Sequence, residues 1–504
     1  MARYKHSDIE DGQGVFLTVN LKEQLLPGTF EYMLNDLIGG KIDVSMFDEN
    51  YNNDKTGAKA IPPAVLIKLI IYGYSKGAIS SRRLDRLAKE NIVAKALTGD
   101  ISPHWTVIAD FISGNGKKFQ EVFIKVLTYC GELELIGGET FAADGLRVPS
   151  NASLEMSGTE EELKKKVEIY QKMAEKHVQR HLKRDAGEGE EGEEEKRHYQ
   201  ERQKRLSQKI EKINAFLEEM EKREGKGGSE IKSNVTDNQS AMIQDSGGYL
   251  QGYIGIAVSD QKNQIIVNAV AVGSANECEH MPEVVEKTLG NMKEAGIQMA
   301  EGKTATFMGD ANYFSEENLR ACQEKGVEAI IPDSQYRRRV GADGQRRYEA
   351  FDFTYQEEGD YYECPFGKKL PYKGKSVLRG HEGKRYQASV KDCRECPYNS
   401  RCIRSKKAKS KRDRGRQLLI MKSNEPGSLC RAMREKMSSE EYQERYAYRI
   451  QIIEPVFANI SYCKGMDRFT LRGDEKVNGQ WKLYCMVHNL GKCVKGYNKE
   501  KEIA

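Results

Sequence analysis

The sequence predicts a mixed α/β fold with an all-α N-terminal part, and three observations lead to this prediction. Between residues 139 and 332, short apolar segments with strand character alternate with helical segments, as in an open α/β sheet. Residues 1–130 show helical periodicity. Two polar segments, at 158–228 and 335–435, interrupt the α/β pattern, and they predict a helical hairpin insertion and a small basic insertion that contains cysteines.

The length of the chain predicts several domains, because 504 residues exceed what one hydrophobic core usually holds. The predicted parts follow one another along the chain and split the core into three pieces. They are a helical DNA-binding domain at 1–135, the first core strand at 136–157, a charged helical hairpin at 158–228, the continued core at 229–334, the basic cysteine-containing insertion at 335–435 and a C-terminal helical part of the core at 436–504.

The composition predicts a cytoplasmic protein without membrane contact. Charged residues make up 31% of the chain, and no apolar run approaches the roughly 20 residues that cross a bilayer. The N-terminus lacks the apolar stretch of a signal peptide. Eleven cysteines, an odd number, favour reduced thiols with room for one metal cluster. The net charge of +4 hides blocks of opposite sign, which carry more information than the sum.

The first helical segments carry arginines in an arrangement typical of small DNA-binding modules. A pair of prolines suits the first turn of the apolar helix at 64–74. Ser80 and Ser81 then cap a second helix, whose apolar face leaves Arg82 and Arg83 outside. Short helices with tight turns and free arginines fit a helix-turn-helix-like module that contacts DNA. A plain helical bundle whose arginines only face solvent fits the pattern equally well.

Two aspartates are predicted to lie on or just after core strands. Asp144 lies on the strand predicted at 139–148, and Asp310 follows the strand in 304–308. In open α/β sheets, ligands and catalytic groups collect at the carboxyl ends of strands. Together with Glu454 on a downstream helix, these acids suggest a site for divalent metal and phosphodiester chemistry. The alternative for each aspartate is an ordinary helix cap or turn.

The two insertions differ in composition. Residues 158–226 are rich in Glu, Lys, Arg and Gln, with sparse apolar residues at helical spacing, and an acidic break at 185–195 predicts a loop. We expect a solvated helical hairpin, with a dimer contact as the alternative. The second insertion contains the basic run 406–416, in which Lys411, Arg412 and Arg414 are candidates for contacts with phosphate backbones.

Four cysteines of the second insertion have a spacing that zinc sites use. Cys364 precedes Pro-Phe-Gly, and Cys393-x2-Cys396 is followed by Cys402. Four thiolates in this arrangement can complete a tetrahedral structural Zn²⁺ site. Four reduced thiols in a small β-rich module are the alternative, and the spacing alone does not separate the two.

The helix that starts at Ser438 is predicted to reach Ile453 and to present one functional face. The residues predicted to share this face are Tyr446, Arg449, Ile450, Ile453 and Glu454. We expect Ile450 and Ile453 to pack on the sheet and to direct Glu454 to its edge. Pro455 is expected to end or kink the helix.

Taken in order, these segments resemble the DDE transposases of bacterial insertion sequences, whose catalytic core is ribonuclease H-like. The resemblance covers nearly the whole chain and rests on five motifs. They are the helical segment ending LeuAlaLysGluAsn at Asn91, AspGlyLeuArgVal from Asp144, ThrAspAsnGlnSerAlaMet at 236–242, GlyAspAlaAsnTyrPhe around Asp310, and Tyr446…Arg449…Glu454 followed by ArgPheThrLeuArgGly. Departures from the family pattern are Leu146, Ala458 and Ser461, and Lys464 is the cation nearest to the expected lysine.

The resemblance implies an enzyme that binds the terminal inverted repeats of its element, cleaves the ends and transfers them to target DNA. It implies that Asp144, Asp310 and Glu454 hold two Mg²⁺ ions, with Mn²⁺ able to substitute. It also implies that Tyr446, Arg449 and Lys464 contact DNA. A homodimer that pairs two DNA ends is expected, working at the bacterial nucleoid.

Two alternatives come from other functional classes. One is a decayed or co-opted copy that binds specific DNA without cutting it. The other is an interaction protein built on the helical hairpin. Metal-dependent nicking separates the first from an active enzyme, and deletion of 158–226 tests the second.

Overall fold

The computed structural model describes residues 18–51, 53, 59–185, 193–225, 228–245, 247–299, 304–339, 346–378, 381–403 and 415–503. The chain divides into two compact units, Met1–Phe111 with Val494–Ala504, and Ile112–Cys493. The domain boundaries given above stay predictions. None of the helices in the described ranges is both long enough and apolar enough to cross a bilayer.

The first unit is helical in its described part, as expected. Its helices are α1 (Phe30–Leu37), α2 (Pro63–Ser75), α3 (Ser81–Glu90), α4 (Ile92–Thr98) and most of α5 (Trp105–Gly114). Ser80 caps α3, and its side chain accepts a hydrogen bond from the backbone N–H of Arg83. Helices α2 and α3 cross closely at Gly73, where a Cβ would lie 2.1 Å from a methyl carbon of Leu84. A larger residue at position 73 would push the two helices apart.

The second unit contains the predicted mixed sheet. Its strands are β1 (Thr140–Pro149), β4 (Ala241–Asp245), β5 (Gly248–Asp260), β6 (Ile266–Val272), β7 (Thr306–Met308) and β8 (Glu328–Ile330). The short strands β2 (Ser157–Gly158) and β3 (Ser233–Asn234) pair with each other in a separate sheet. Strand β5 pairs antiparallel with β1, β4 and β6, whereas β7 is parallel to β1 and β8 is parallel to β7. The order β4-β5-β1-β7-β8, with β6 also paired to β5, confirms a mixed α/β core and is consistent with a ribonuclease H-like sheet.

Helices cover this sheet and one of its edges. They are α6 (Lys118–Glu132), α9 (Met281–Glu294), α10 (Glu316–Glu324), α13 (Leu429–Lys436), α14 (Glu440–Phe457) and α15 (Asp474–Ile503). Trp481 of α15 packs its ring over Gly255 of β5, where a Cβ would lie 2.9 Å from the ring. The side chain of Asn478 both donates to and accepts from the backbone of Ala271 on the edge strand β6. The helix thus satisfies a strand edge that would otherwise be open for pairing.

The charged segment folds into two long helices, α7 (Glu160–Asp185) and α8 (Glu193–Glu219). A small apolar cluster holds the pair together, with Leu163 and Ile213 fully buried at its centre. Most of the acidic break at 185–195 lies outside the described residues. The expected hairpin geometry is present, whereas its role as a solvated insertion or a dimer contact stays a prediction.

The cysteine-containing segment forms a second sheet with two short helices. Its elements are β9 (Thr354–Gln356), β10 (Tyr361–Glu363), β11 (Lys369–Leu378), β12 (His381–Gln387), α11 (Val390–Arg394), α12 (Asn399–Cys402) and β13 (Gln417–Met421). The order is β13-β12-β11-β10-β9, and Phe353, Tyr362 and Tyr386 lie at the centre of its core. Lys411, Arg412 and Arg414 lie outside the described residues.

Of the two expectations for Pro455, the prediction that it ends α14 is wrong, and the kink stays a prediction. The helix runs through Pro455 to Phe457 and continues as a π-helix at Ala458–Cys463. Proline cannot donate to the carbonyl four residues earlier, which belongs to Gln451. The side chain of Gln264 donates to that carbonyl instead, at 2.8 Å. An outside donor therefore replaces the missing helical hydrogen bond.

The predicted buried face of α14 is also partly wrong. Ile450 is 52% exposed, whereas Ile452 and Ile453 are buried together with Arg449. Glu454 is exposed. The helix is rotated so that its 449–452–453 face packs on the sheet, and Arg449 forms an ion pair with the partly buried Asp144 there.

Candidate active site

Three carboxylates meet beside β1 and β7. One oxygen from each of Asp144, Glu277 and Asp310 lies within 4.8 Å of the other two, and no other His, Cys, Asp or Glu trio in the described ranges is this close. Asp144 lies within β1, Asp310 follows β7 by two residues, and Glu277 lies between β6 and α9. The parallel pairing of Ala142 with Met308 brings the two aspartates together.

A short network of hydrogen bonds orients the acids. Asp310 begins the 3-10 helix at 311–313, and its carboxylate accepts from the backbone N–H of Asn312 at 2.9 Å. The side-chain amide of Asn312 donates to both Asp310 and Glu277, at 3.1 and 3.2 Å. The hydroxyl of Tyr313 donates to the second oxygen of Glu277 at 3.3 Å. One turn of chain after β7 therefore fixes two of the three carboxylates.

A glycine in β1 makes room for Glu277. A Cβ at Gly145 would lie 1.9 Å from Oε2 of Glu277 and 2.5 Å from Cγ2 of Ile254. The backbone N–H of Gly145 also donates to Oδ1 of the neighbouring Asp144 at 2.9 Å. Glycine is therefore required after Asp144 for steric reasons, because any side chain at position 145 would displace Glu277.

The three acids repel one another and are short of positive charge. Burial, followed by the charges of Asp310 and Asp144, raises the pKa of Glu277 to about 7. Burial and the charge of Asp144 also raise the pKa of Asp310, against the opposing effects of the Asn312 backbone and of Arg449. Carboxylates that share a partly buried site favour a nearby cation for this reason.

Arg449 of α14 supplies one cation. Its Nη2 lies 2.6 Å from Oδ2 of Asp144, and the two side chains are 7% and 18% exposed. Burial lowers the pKa of Arg449, but the facing Asp144 outweighs it and the pKa is raised. The Nε of this guanidinium is buried and has no hydrogen-bond partner in the described structure. One carboxylate of the trio is thereby neutralised, and one donor of the arginine stays unused.

Two family comparisons match the chain. Residues 363–494 match the family described as Transposase DDE domain. Residues 19–114 match the family described as Transposase domain (DUF772). Together, the two matches indicate a DDE-type transposase of the insertion-sequence kind. No curated protein matches the chain.

The matched regions cover only part of the acid site of the transposase. Arg449 and Glu454 fall inside the DDE match, whereas Asp144 and Asp310 precede it. The acid cluster therefore adds a structural observation that the sequence match does not contain.

The structure brings some of the predicted site residues of the transposase together. Asp144, Asp310 and Arg449 meet in the acid cluster, and Tyr446 contacts Tyr336 edge-on nearby, with 5.7 Å between the ring centroids. Burial raises the pKa of Tyr446, and both aspartates add to this effect. Glu454 is exposed and does not belong to the group of three. Its role as a ligand stays a prediction.

The sequence-based interpretation missed Glu277. The available signal was its setting, since this acid follows a strand and precedes a helix, as Asp310 does. The signal was weak because Glu277 lies five residues beyond the end of β6, and such acids are most often turn or cap residues. Its packing on Gly145 and its hydrogen bonds from Asn312 and Tyr313 distinguish it from the other acids of this loop.

The remaining DNA-contact candidates of the transposase lie elsewhere. Arg82 and Arg83 are exposed on α3, where the guanidinium of Arg82 lies 5.0 Å from the ring of Trp105 and Arg83 donates to the carbonyl of Gly77. Lys464 is half-buried directly after the π-helix. These positions leave the arginines accessible to a partner, and their contact with DNA stays a prediction.

The four predicted zinc ligands line one small cavity of about 30 Å³. Its cysteine side chains are Cys364, Cys393, Cys396 and Cys402. The backbone N–H groups of Lys368 and Arg416 donate to the sulfurs of Cys364 and Cys393, at 3.3 and 3.2 Å. No three of the four sulfurs come within 4.8 Å of one another in the described conformation. The cysteines thus share one place in the fold without forming a closed ligand set.

Proposed function

We propose that the transposase binds the terminal inverted repeats of its element, hydrolyses the phosphodiester bond at each end and joins the freed 3′-hydroxyl to target DNA. The observation that carries this proposal is the cluster of Asp144, Glu277 and Asp310, whose oxygens lie within 4.8 Å of one another. Oxygen ligands of this kind suit Mg²⁺, and the same set accepts Mn²⁺. A nearby arginine suits a phosphate oxygen.

The proposed roles follow from the contacts of each side chain. A divalent ion bound here would polarise the phosphodiester and activate water or the 3′-hydroxyl. Asp144 and Asp310 would hold such an ion, and Asn312 keeps Asp310 oriented through two hydrogen bonds. Arg449 shifts from Asp144 to a phosphate oxygen of the scissile strand, since its Nε has no partner in the described structure. Tyr446 positions a nucleotide at the same helix face.

The proposal assigns separate roles to the two glutamates. Glu454 is the glutamate of the DDE motif, and it lies five residues beyond Arg449, about 140° around the helix. We propose that Glu454 acts only once DNA is bound. Glu277 already stands beside the aspartates, and we propose that it is an additional metal ligand.

A panel of three isosteric variants tests these roles. Asp310→Asn, Glu277→Gln and Glu454→Gln each remove one charge and keep the shape of the side chain. Two measurements are made on each variant: Mn²⁺ binding without DNA, and nicking of a duplex that carries the element's ends. Asp310→Asn should abolish nicking and weaken Mn²⁺ binding while DNA binding persists.

The two glutamates should give different results. We expect Glu277→Gln to weaken Mn²⁺ binding without DNA, and Glu454→Gln to leave that binding unchanged but abolish nicking. Unchanged Mn²⁺ binding and nicking in Glu277→Gln would remove Glu277 from the proposal. Full nicking by Glu454→Gln would remove Glu454. If the parent protein binds the element's ends in Mg²⁺ without nicking them, the alternative of a DNA-binding protein without catalysis would be favoured.

We propose further DNA contacts for Arg82, Arg83 and Lys464, and for the run containing Lys411, Arg412 and Arg414. Their charges predict affinity that falls steeply with salt. Pairing of two ends calls for a homodimer in the complex with DNA. Light scattering with and without a duplex of the ends measures the stoichiometry, and one chain per bound end pair would contradict the dimer.

We also propose that the four cysteines hold a structural zinc ion. The two backbone N–H···S hydrogen bonds support this proposal, because metal-bound thiolates accept such bonds. Zinc–sulfur bonds of about 2.3 Å place the sulfurs about 3.8 Å apart, so the side chains must turn toward the cavity centre to bind.

A further inference from the structure

A polar groove lies along the edge strand β6, apart from the acid cluster. It has a volume of about 430 Å³, within the range of ligand-binding pockets. The start of α6, strand β6, helix α9 and helix α15 each contribute one wall. The charged side chains among its lining residues are Lys117, Lys287, Lys482 and Glu475. Three cations against one anion make this groove basic.

The groove is not a place for an added β-strand. An added strand needs free N–H and C=O groups along the strand edge. Asn478 already binds the N–H and C=O of Ala271, and the side chain of Asn291 donates to the carbonyl of Val267. These two asparagines occupy the edge on both sides of Ala269. The groups left to bind a partner are therefore the lysine amines.

Lys482 is the unsatisfied cation of the groove. Lys117 lies 3.7 Å from Glu475, and Lys287 pairs with Glu283 on its own helix. Lys482 has no carboxylate within 4 Å and no hydrogen-bond acceptor among the described residues, and it is half-buried. Burial, and then the charge of Lys287, lower the pKa of Lys482 to about 8. A bound anion would supply the missing negative charge.

We propose that this groove binds a phosphate group and that the DNA backbone provides it. A phosphate oxygen accepts hydrogen bonds from lysine amines and brings the charge that Lys482 lacks. The shape also agrees, because the groove is open enough to admit a backbone. The amide side chains in its lining already donate to protein acceptors, so the lysines supply the donors for phosphate. The inference rests on the proposed action on DNA, but it concerns a surface separate from the cleavage chemistry.

The test measures DNA affinity against salt concentration, without divalent metal so that cleavage plays no part. Lys482→Gln removes the charge, and Lys482→Arg keeps it. Lys476→Gln is the matched control, since Lys476 is exposed on the same helix and does not line the groove. Lys117→Gln is a second groove variant, and thermal unfolding shows whether each variant is folded.

Each phosphate contact contributes about 0.9 to the slope of log affinity against log salt. We expect Lys482→Gln to lower that slope by about one, equally for two duplexes of unrelated sequence, and Lys482→Arg to restore it. Lys476→Gln should change the slope much less. Equal effects of Lys482→Gln and Lys476→Gln would overturn the inference, as would an unchanged slope in both Lys482→Gln and Lys117→Gln.

A second arm separates the DNA backbone from free phosphate. Inorganic phosphate is titrated into the parent protein and Lys482→Gln by calorimetry at fixed ionic strength. Millimolar or weaker binding of phosphate that the variant loses, together with the slope change, supports the DNA backbone. Tight phosphate binding with an unchanged DNA slope would overturn the DNA part. If the parent protein itself did not bind DNA, the proposed function would be refuted instead.

Discussion

The ion pair between Arg449 and Asp144 gives the sharpest prediction. Arg449→Ala removes the guanidinium that lies 2.6 Å from Oδ2 of Asp144 and leaves three partly buried carboxylates without their cation. Breaking a buried ion pair by removing one partner typically costs about 3–5 kcal/mol. The side chain of Asp144 is 18% exposed and water can screen its charge in part, so we expect Arg449→Ala to lower the free energy of unfolding by about 3 kcal/mol.

A second arginine on the same helix is the matched control. Arg445 lies 2.6 Å from Glu328, but its side chain is 33% exposed. Glu328 also keeps Lys436 at 2.8 Å when Arg445 is removed. Arg445→Ala should therefore cost only about 1 kcal/mol, as exposed pairs do. The comparison holds the helix and the residue type constant and changes only burial and the number of partners.

The assay is urea unfolding followed by tryptophan fluorescence in the chelator EDTA. The chain has two tryptophans, and replacing Trp105 with Phe leaves Trp481, which is buried against β5, as the reporter of the second unit. Mg²⁺ at 100 times its dissociation constant from Arg449→Ala should raise the free energy of unfolding of that variant by about 2.7 kcal/mol. At the same Mg²⁺ concentration the parent protein should gain less, because Arg449 already neutralises Asp144 and weakens Mg²⁺ binding.

The double variant Arg449→Ala with Asp144→Asn completes a thermodynamic cycle. Because the two side chains contact each other, the combined loss should be well below the sum of the single losses. Additive losses, or a loss from Arg449→Ala no larger than that from Arg445→Ala, would refute this account of the site.

Three further predictions concern other parts of the second unit. Gly145→Ala should lower the free energy of unfolding by about 1–3 kcal/mol and reduce metal affinity, because the new Cβ would displace Glu277. Gly290→Ala in α9 is the control, since its Cβ would meet open space and the change should be neutral or slightly stabilising. Unfolding measurements and Mn²⁺ titration check both variants. Burial lowers the pKa of His488 to about 4, so as the pH falls the unfolded chain takes up a proton on this residue before the folded chain does. The free energy of unfolding should therefore fall by about 2 kcal/mol between pH 7 and 5. In unfolding measurements, His488→Gln should make stability less dependent on pH over this range. Purified protein should contain about one zinc per chain by elemental analysis, and Cys393→Ser should lose it; zinc-free parent protein with native stability would contradict the proposed structural site.

The sequence by itself determined most strands of the core and two of its acids. Strand periodicity placed β1, β5 and β6 within a few residues, because half-buried and buried strands need apolar side chains in a fixed pattern. Asp144 and Asp310 were found because each stands on or directly after such a strand. Local chemistry also predicted the cap at Ser80.

Only the tertiary structure decided which side chains meet. Glu277 joins the aspartates because Gly145 leaves space for it, and that contact crosses more than 130 residues of sequence separation, a link that periodicity does not reveal. The rotation of α14 that buries Arg449 and exposes Glu454 depends on an ion pair with β1. Its passage through Pro455 depends on a donor from the turn before β6. Long-range pairing of charges and hydrogen bonds fixes these features, and helical propensity alone does not encode it.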